Sequence, residues 1–218
     1  MDNELQNEMP IQEEGQKKKE SGYTFWIILT LILAAFLGFR FWFFNNYGGV
    51  QVDGESMMQT LQDGQMLVME FVEDGKGLER GDIIVVSVGH YEEFQTSNVQ
   101  YVIKRLIAVE GDKVRCTDGQ VEICYAGTQE YVPLPEDYAY YSGSKVGQDI
   151  YDYDFAEYVV GEGEIFFLGD NRLNSCDSRY QERGGSHLKD KLYKATDVYG
   201  IVHDWALEYR QILETIFL

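Results

Sequence analysis

The feature that most constrains this chain is an apolar segment near its N-terminus. Residues 23–44 read YTFWIILTLILAAFLGFRFWFF, and Arg40 is the only charged residue among these 22. A helix needs roughly 20 apolar residues to cross the hydrocarbon core of a bilayer. The segment lacks the polar face of a long globular helix and the small residues of a signal-peptide cleavage site. We therefore predict an uncleaved transmembrane anchor at residues 23–44.

The residues on either side of this segment predict its orientation. Lys17, Lys18 and Lys19 lie just before it, and positive charge is enriched on the cytoplasmic side of membrane spans. We therefore expect a single-pass protein of the plasma membrane, in contact with the lipid bilayer. Residues 1–22, with six acidic residues and three lysines, are expected to be a disordered cytoplasmic tail. Residues 45–218 are expected to form an extracytoplasmic domain.

The charge of the chain excludes nucleic acid as a partner. The formal net charge is -19, and residues 45–218 hold 31 acidic and 14 basic residues, which gives this part -17. Nucleic-acid binding needs a basic surface that neutralises phosphates.

Three cysteines cannot form a disulfide framework, and three histidines leave little room for metal sites.

Short apolar runs rich in β-branched residues indicate the fold of the outer part. They lie at residues 65–72, 82–88, 99–109, 113–116, 120–124 and 164–168, and most are bounded by glycine or aspartate. Asp118-Gly119 between two of them is a favoured two-residue hairpin turn. Closely spaced strands with such turns predict a mainly β, antiparallel domain.

Two further stretches have their own character. Seven tyrosines lie between Tyr131 and Tyr158, which predicts an elaborated surface segment or a small β subdomain packed over the core at residues 128–163. Near the C-terminus, five apolar residues share one helical face and are expected to pack against the domain. They are Trp205, Tyr209, Ile212, Leu213 and Ile216.

Two polar residues in apolar surroundings are candidates for chemistry. Ser56 lies in the segment VDGESMMQTL, and Lys104 lies in the strand YVIKRLI. Neighbouring side chains of a strand face opposite ways, so Lys104 and Arg105 cannot both face the core. A buried lysine has a lowered pKa and, when neutral, can take the proton of a serine hydroxyl. The alternative is that both basic residues reach solvent from an edge strand.

A third cluster, residues 169–179, reads GDNRLNSCDSR. It is dense in small hydrogen-bonding residues and follows a predicted strand. Asp170 and Asp177 do not match the spacing of an EF-hand calcium loop. We expect Asp177 and Arg179 to form an ion pair that stiffens the loop.

Taken in order behind the anchor, these segments resemble bacterial type I signal peptidases, the Ser-Lys serine proteases of peptidase family S26. The last segment, G-D-N-R-x-x-S-x-D-S-R, is the most specific of the motifs. The resemblance implies an antiparallel β catalytic fold with a more variable β region at residues 113–163. It implies that Ser56 is the nucleophile, Lys104 the general base and Ser175 the residue that orients the lysine amine. Asp177 and Arg179 would hold the loop, and no metal or organic cofactor is implied.

The sequence departs from the family pattern at several positions. Gln59 stands where the family usually has proline, and Ala108 and Glu110 replace a glycine and a proline. Gly54 stands where some members have a serine near the oxyanion hole, so the backbone N–H of Ser56 would carry more of that role. Gly54 and Met57 are expected to contact substrate, and Met57, Met58 and Leu61 are expected to form an apolar rim.

The resemblance implies a membrane-anchored endopeptidase that removes N-terminal signal peptides from exported preproteins. Two alternatives stay open. One is a self-cleaving Ser-Lys protease like the SOS-response repressors, which the anchor and the acidic charge disfavour. The other is a non-enzymatic or dedicated homologue that acts in the assembly of a surface structure.

Overall fold

A computed structural model of the chain describes residues 22–91, 99–141, 154–179 and 193–209. The chain divides into two compact units, residues 1–43 and residues 44–218. Residues 1–21 of the expected tail lie outside the described residues, as do Ile212, Leu213 and Ile216 of the expected C-terminal helical face.

The first element is a long apolar helix, α1 (Gly22–Asn46), of 25 residues. Among the described residues it is the one helix long and apolar enough to cross a membrane, with a mean hydropathy of 2.2. The hydroxyl of Thr30, in the middle of this helix, is satisfied within it, because Thr30 Oγ1 donates to the Trp26 carbonyl at 2.8 Å. Length, composition and internal hydrogen bonding all fit a lipid environment.

The remaining described residues are mostly strands. They are β1 (Tyr47–Gln51), β2 (Met66–Phe71), β3 (Ile83–Ser87), β4 (Tyr101–Val109), β5 (Lys113–Thr117), β6 (Gln120–Cys124), β7 (Val132–Pro133), β8 (Phe155–Val159), β9 (Glu164–Leu168), β10 (Tyr193–Lys194) and β11 (Val198–Val202). A 3₁₀ turn (Ala195–Asp197) precedes β11, and a short helix, α2 (Asp204–Glu208), follows it.

The described strands form two sheets. One has seven strands in the order β1-β2-β11-β3-β4-β9-β10, and the other has four in the order β7-β6-β5-β8. Every ladder within these sheets is antiparallel. The predicted mainly β, antiparallel fold is therefore confirmed, and each of the six apolar runs contains a strand.

The sequence analysis missed β11, which lies between β2 and β3 inside the larger sheet. Its central Gly200 weakens the strand pattern, because glycine has low β-propensity. The glycine has a packing reason. A Cβ at this position would lie 2.8 Å from the Glu70 carbonyl oxygen and 2.9 Å from the sulfur of Met69. Glycine thus permits β11 and β2 to approach closely.

A bulge in β4 explains how the two sheets share a core. Opposite β9, the pairing shifts between Leu106 and Ala108, and one extra residue in a strand moves the following side chains to the other face. Leu106 packs with Ile84, Val86 and Phe167 in one buried cluster. Ile107 and Ala108 pack in a second, which includes Val114, Val121 and Ile123 of the smaller sheet. All three consecutive residues are buried as a result.

The smaller sheet is built on the predicted hairpin. Asp118 and Gly119 both have positive φ, at 52° and 76°, as a type I′ turn requires. Cys116 lies opposite Val121, not Cys124, and no disulfide joins any of the three cysteines, all of which the structure describes. Tyr141 and Tyr158 pack against the shared core, so the tyrosine-rich stretch is in part a covering of that core.

Candidate active site

Ser56 lies in a tight turn between β1 and β2. The base of the turn is closed by two backbone bonds, from Val52 N–H to the Gln65 carbonyl at 2.8 Å and from Gly64 N–H to the Val52 carbonyl at 2.9 Å. Met57 and Leu61 fill the interior behind it and are fully buried. These buried apolar side chains anchor the segment that follows Ser56, while Ser56 itself stays half-exposed.

Lys104 lies in the middle of β4, opposite Ile84 of β3. Its side chain is buried, with 3% exposure. The Nζ atom lies 2.7 Å from Ser56 Oγ and 2.9 Å from the Ile103 carbonyl oxygen. Of the sequence's two alternatives for Lys104, the buried one is confirmed, and the basic residue lies within hydrogen-bond distance of the serine hydroxyl.

The surroundings of Lys104 favour its neutral form. Burial lowers the pKa of the amine from 10.5 to about 8, while the negative charges of Asp177 and Asp170 oppose part of this effect. A neutral amine has a lone pair that can accept the serine proton, and a pKa near the working pH is the best compromise for a general base. The pair is therefore suited to activating a hydroxyl.

The loop at residues 169–179 is held by one buried carboxylate. Asp177 accepts bonds from Arg179 at 2.8 and 2.7 Å and from the Gly169 N–H at 3.0 Å. Burial alone would raise the pKa of Asp177, but the Arg179 charge and these hydrogen bonds hold it below its ordinary value. Arg179 also donates to the Arg172 carbonyl at 3.0 Å. The predicted Asp177–Arg179 ion pair is confirmed.

Ser175 is half-buried in the same loop, with its Oγ atom buried, but it makes no hydrogen bond to Lys104 within the described part of the chain. Its Oγ lies where a side chain on Gly169 would otherwise be. A Cβ there would be 2.2 Å from Ser175 Oγ and 2.6 Å from the Ser56 carbonyl oxygen. Gly169 therefore brings the loop and the Ser56 turn together, a reason that the motif alone does not reveal.

Asn171 ties the loop to the nucleophile segment. Its backbone N–H donates to the Ser56 carbonyl at 3.0 Å, and its side-chain amide donates to the Glu55 carbonyl at 3.1 Å. The sequence analysis quoted Asn171 within the motif but gave it no role. No local pattern could have assigned one, because its partners are more than 100 residues away in the chain.

Asp170 makes a second connection. Its carboxylate accepts bonds from Arg105 at 2.9 and 2.7 Å and from Thr60 Oγ1 at 2.5 Å. Arg105 is therefore paired, not solvated, and it faces away from Lys104 along the same strand. The contacts join β4, the Ser56 turn and the loop into one hydrogen-bonded unit.

The expected apolar rim is wrong for two of its three residues. Met57 is 1% exposed and Leu61 is fully buried, while Met58 is partly exposed. The physical reason is that the turn needs apolar anchors beneath it to hold Ser56 in place. Gly54 lies two residues before Ser56 with φ 90°, and its N–H donates to the Asp63 carboxylate at 2.8 Å.

The departures from the family pattern have structural explanations in two cases. Ala108 is fully buried in the shared core, and Glu110 accepts a hydrogen bond from the Gly163 N–H at 3.0 Å, which ties two neighbouring turns. Gln59 is exposed at the surface. None of the three lies in hydrogen-bond contact with Ser56 or Lys104.

Comparisons with known proteins identify the family of the chain. The family model described as "Signal peptidase, peptidase S26" matches residues 22–200. Signal peptidase I T of Bacillus subtilis (strain 168) is 34% identical over 172 residues, which are 77% of this chain and 80% of that protein. A signal peptidase I of Bacillus amyloliquefaciens is 34% identical over 179 residues, covering 80% and 84% of the two chains.

A crystal structure of a signal peptidase I from Enterococcus faecalis V583 has 30% sequence identity and a TM-score of 0.40, and it covers 59% of this chain and 98% of that one. The family and the N-terminal apolar helix together indicate a membrane-anchored protein. With a family match over most of its length and relatives above 30% identity, the chain belongs to the signal peptidase family, peptidase S26, and is a serine endopeptidase.

Proposed function

We propose that this protein removes N-terminal signal peptides from exported preproteins, with Ser56 as nucleophile and Lys104 as general base. The observation that carries the proposal is the 2.7 Å separation of Ser56 Oγ and Lys104 Nζ, together with the burial of the lysine, which lowers its pKa to about 8. These relatives, both named signal peptidase I, support the choice of substrate.

The first half of the reaction forms an ester. Ser56 Oγ attacks the scissile carbonyl carbon while its proton passes to Lys104 Nζ, which gives a tetrahedral oxyanion and a charged ammonium. Collapse of this intermediate breaks the C–N bond. Lys104 returns the proton to the departing amine, which becomes the new N-terminus of the mature protein. The signal peptide stays attached to Ser56 as an acyl-enzyme.

The second half reverses the roles with water. Lys104, neutral again, takes a proton from a water molecule that attacks the ester carbonyl. The second tetrahedral intermediate collapses to release the signal peptide as a carboxylic acid, and the proton on Lys104 restores the Ser56 hydroxyl. The reaction consumes one water and needs no further reactant.

The oxyanion requires hydrogen-bond donors close to Ser56. The backbone N–H of Ser56 donates no hydrogen bond to any of the described residues, so it is available to a substrate oxygen. Asn171 holds the adjacent Ser56 carbonyl at 3.0 Å, which restrains the peptide group that follows the nucleophile. One such donor is worth roughly 3–4 kcal/mol in the transition state.

The remaining residue roles follow from the same proposal. Asp177 and Arg179 keep the loop in place. The Ser175 hydroxyl rotates toward Lys104 and orients its amine. Substrate binds as an extended strand beside Gly54, with its small side chains near the Ser56 turn. Met57, being buried, contributes the apolar floor under that turn. The region at residues 113–163 is the more variable β part of the catalytic domain.

The anchor places this chemistry at a membrane. We propose that residues 23–44 span the plasma membrane, with residues 1–22 in the cytoplasm and residues 45–218 outside. A membrane-held enzyme meets a membrane-held preprotein at a raised effective concentration. Protease protection of an epitope at each end of the chain in sealed inside-out and right-side-out vesicles tests this orientation.

Cleavage of a defined preprotein tests the function. The full chain in detergent is incubated with a panel of preproteins, and the new N-termini are sequenced. We expect cuts after small residues at the end of the signal peptide, and we expect Ser56→Ala and Lys104→Ala to remove activity. Asp53→Ala, on the exposed side of the same turn, is the matched control and should keep it.

Three results would contradict the proposal. Cleavage retained in Ser56→Ala would exclude the nucleophile, and cleavage retained in Lys104→Ala would exclude the base. An intact panel with a folded wild-type protein would favour a non-enzymatic role in assembly.

A further inference from the structure

We propose that Glu136 and Tyr138, which lie outside all the motifs of the sequence, are positioning residues for the Ser56–Lys104 pair. They belong to a segment of the variable region, residues 136–140, which we call the brace. The inference rests on the proposed roles of Ser56 and Lys104. It assigns a function to a part of the chain that those roles leave unused.

The backbone of the brace pairs directly with the active-site loop. Tyr140 N–H donates to the Asp170 carbonyl at 2.7 Å, and Arg172 N–H donates to the Tyr140 carbonyl at 2.8 Å. The two bonds form a parallel bridge on either side of Asn171. The N–H of Asn171 donates to the Ser56 carbonyl. By holding the backbone on either side of Asn171, the brace therefore also restrains Ser56.

Tyr138 reaches the other half of the site. Its ring centroid lies 4.0 Å from the guanidinium carbon of Arg105, the residue next to Lys104, and 5.9 Å from that of Arg172. Cations within about 6 Å of a ring centroid are attracted by its π electrons. Burial raises the pKa of Tyr138 to about 12, so the ring stays neutral throughout the pH range of the reaction.

Glu136 balances the charge of this region. It forms an ion pair with Arg172, whose side chain is fully buried. Arg172 Nε also donates to the Gly169 carbonyl at 3.1 Å, and Gly169 is the glycine that allows the close approach of Ser175 and the Ser56 turn. Without Glu136, Arg172 would lose this counter-ion, and an uncompensated buried charge strongly destabilises the segment that carries it.

The contacts of the brace thus converge on both reacting groups. Glu136 acts through Arg172 and Gly169 on the Ser56 turn, and Tyr138 acts through Arg105 on the strand that carries Lys104. A general base must lie within hydrogen-bond distance of the proton it takes, and a displacement of about 1 Å can cost roughly 100-fold in rate. The brace therefore affects the rate of the chemical step more than substrate binding.

Tyr138 is tested by separating the ring from the hydroxyl. Tyr138→Leu removes the aromatic face, and Tyr138→Phe keeps it. We expect kcat for preprotein cleavage to fall about tenfold in Tyr138→Leu with KM changed less than twofold, and we expect Tyr138→Phe to keep the wild-type kcat. Equal activity of Tyr138→Leu and wild type would overturn the role of the ring.

Glu136 is tested by removing its charge at constant shape. Glu136→Gln should lower kcat by a similar factor, and the matched control Asp137→Asn, next to it and exposed, should leave kcat unchanged. Thermal unfolding of each variant is measured alongside, and cleavage is assayed well below the melting temperature. A lower melting temperature with unchanged kcat would show a purely structural role and overturn the proposal.

Measuring the rate at which Ser56 is acylated distinguishes a failure of the brace proposal from a failure of the proposed function. A β-lactam-like acylating probe is applied to the wild type, Glu136→Gln and Tyr138→Leu. Slower labelling of both variants, with full labelling of wild type, supports the brace. If the Ser56→Ala variant cleaved preprotein at the wild-type rate, the Ser-Lys assignment itself would be rejected. If Glu136→Gln and Tyr138→Leu were labelled at the wild-type rate, only the role of the brace would be rejected.

Discussion

The two faces of β4 hold neighbouring cations in opposite circumstances. On one face, Lys104 contacts the neutral oxygens of Ser56 and Ile103, and none of the described carboxylates is in hydrogen-bond contact with it. On the other, Arg105 forms two hydrogen bonds to the buried carboxylate of Asp170. A paired charge is stable as a charge, while a buried amine without a contacting counter-ion is readily deprotonated. The comparison separates the cation that supports the structure from the one suited to chemistry.

The largest expected effect is on the cleavage rate, when Lys104 is replaced by a residue that stays positively charged. Arginine stays protonated at any working pH, so Lys104→Arg should lower the rate of preprotein cleavage at least about 1000-fold, a change of roughly 4 kcal/mol in the barrier. Lys76→Arg, at an exposed surface site, is the control. A Lys104→Arg enzyme within tenfold of wild type would show that the neutral amine is not the base.

The next effect comes from removing the counter-ion on the opposite face. Asp170→Asn leaves Arg105, whose side chain is only 12% exposed, without its carboxylate, which should lower the free energy of unfolding by about 3 kcal/mol. Asp74→Asn breaks an ion pair in which both side chains are 72% exposed and should change it by less than about 0.5 kcal/mol. Chemical denaturation measures both, and equal effects would remove the distinction between the faces.

The smallest expected effect is an increase in the free energy of unfolding when Lys104 is replaced by methionine, a change that also removes activity. Since burial lowers the pKa of Lys104 from 10.5 to about 8, the folded state binds the proton less tightly than the unfolded chain. The resulting cost is fully present below pH 8 and disappears as the pH rises from about 8 to 10.5. Lys104→Met should therefore raise the free energy of unfolding on the order of 1 kcal/mol at pH 7.

Comparing wild type and Lys104→Met at several pH values checks the cause of that gain. The difference in unfolding free energy should shrink between pH 8 and 10 because the wild type recovers stability there. A difference that stays constant over this range would mean that packing, not the buried amine, accounts for it.

The features of the fold and the site that the sequence predicts are those formed by residues close together in the chain. The anchor, six strands and the Asp118-Gly119 hairpin follow from short-range patterns. Ser56 and Lys104 came from the family resemblance, with the burial of Lys104 as one of two alternatives that the residues allowed. The Asp177–Arg179 pair was predictable because the two residues are neighbours in the chain.

The features that were missed depend on contacts between distant segments. β11 carries Gly200 because of its close approach to β2, which a strand pattern does not contain. The partners of Asn171 lie more than 100 residues away, and those of the brace also belong to other segments of the chain. Met57 was expected at a rim because an apolar residue beside a nucleophile gives no sign of which way it points. The fold decides each of these through packing.

The pH dependence of kcat/KM for preprotein cleavage tests the central claim most directly, since it reports the ionisation of the free enzyme's base. If neutral Lys104 activates Ser56, kcat/KM should rise about tenfold per pH unit below an apparent pKa near 8 and level off above it. A rate that is independent of pH between about 5 and 9 would contradict a lysine base.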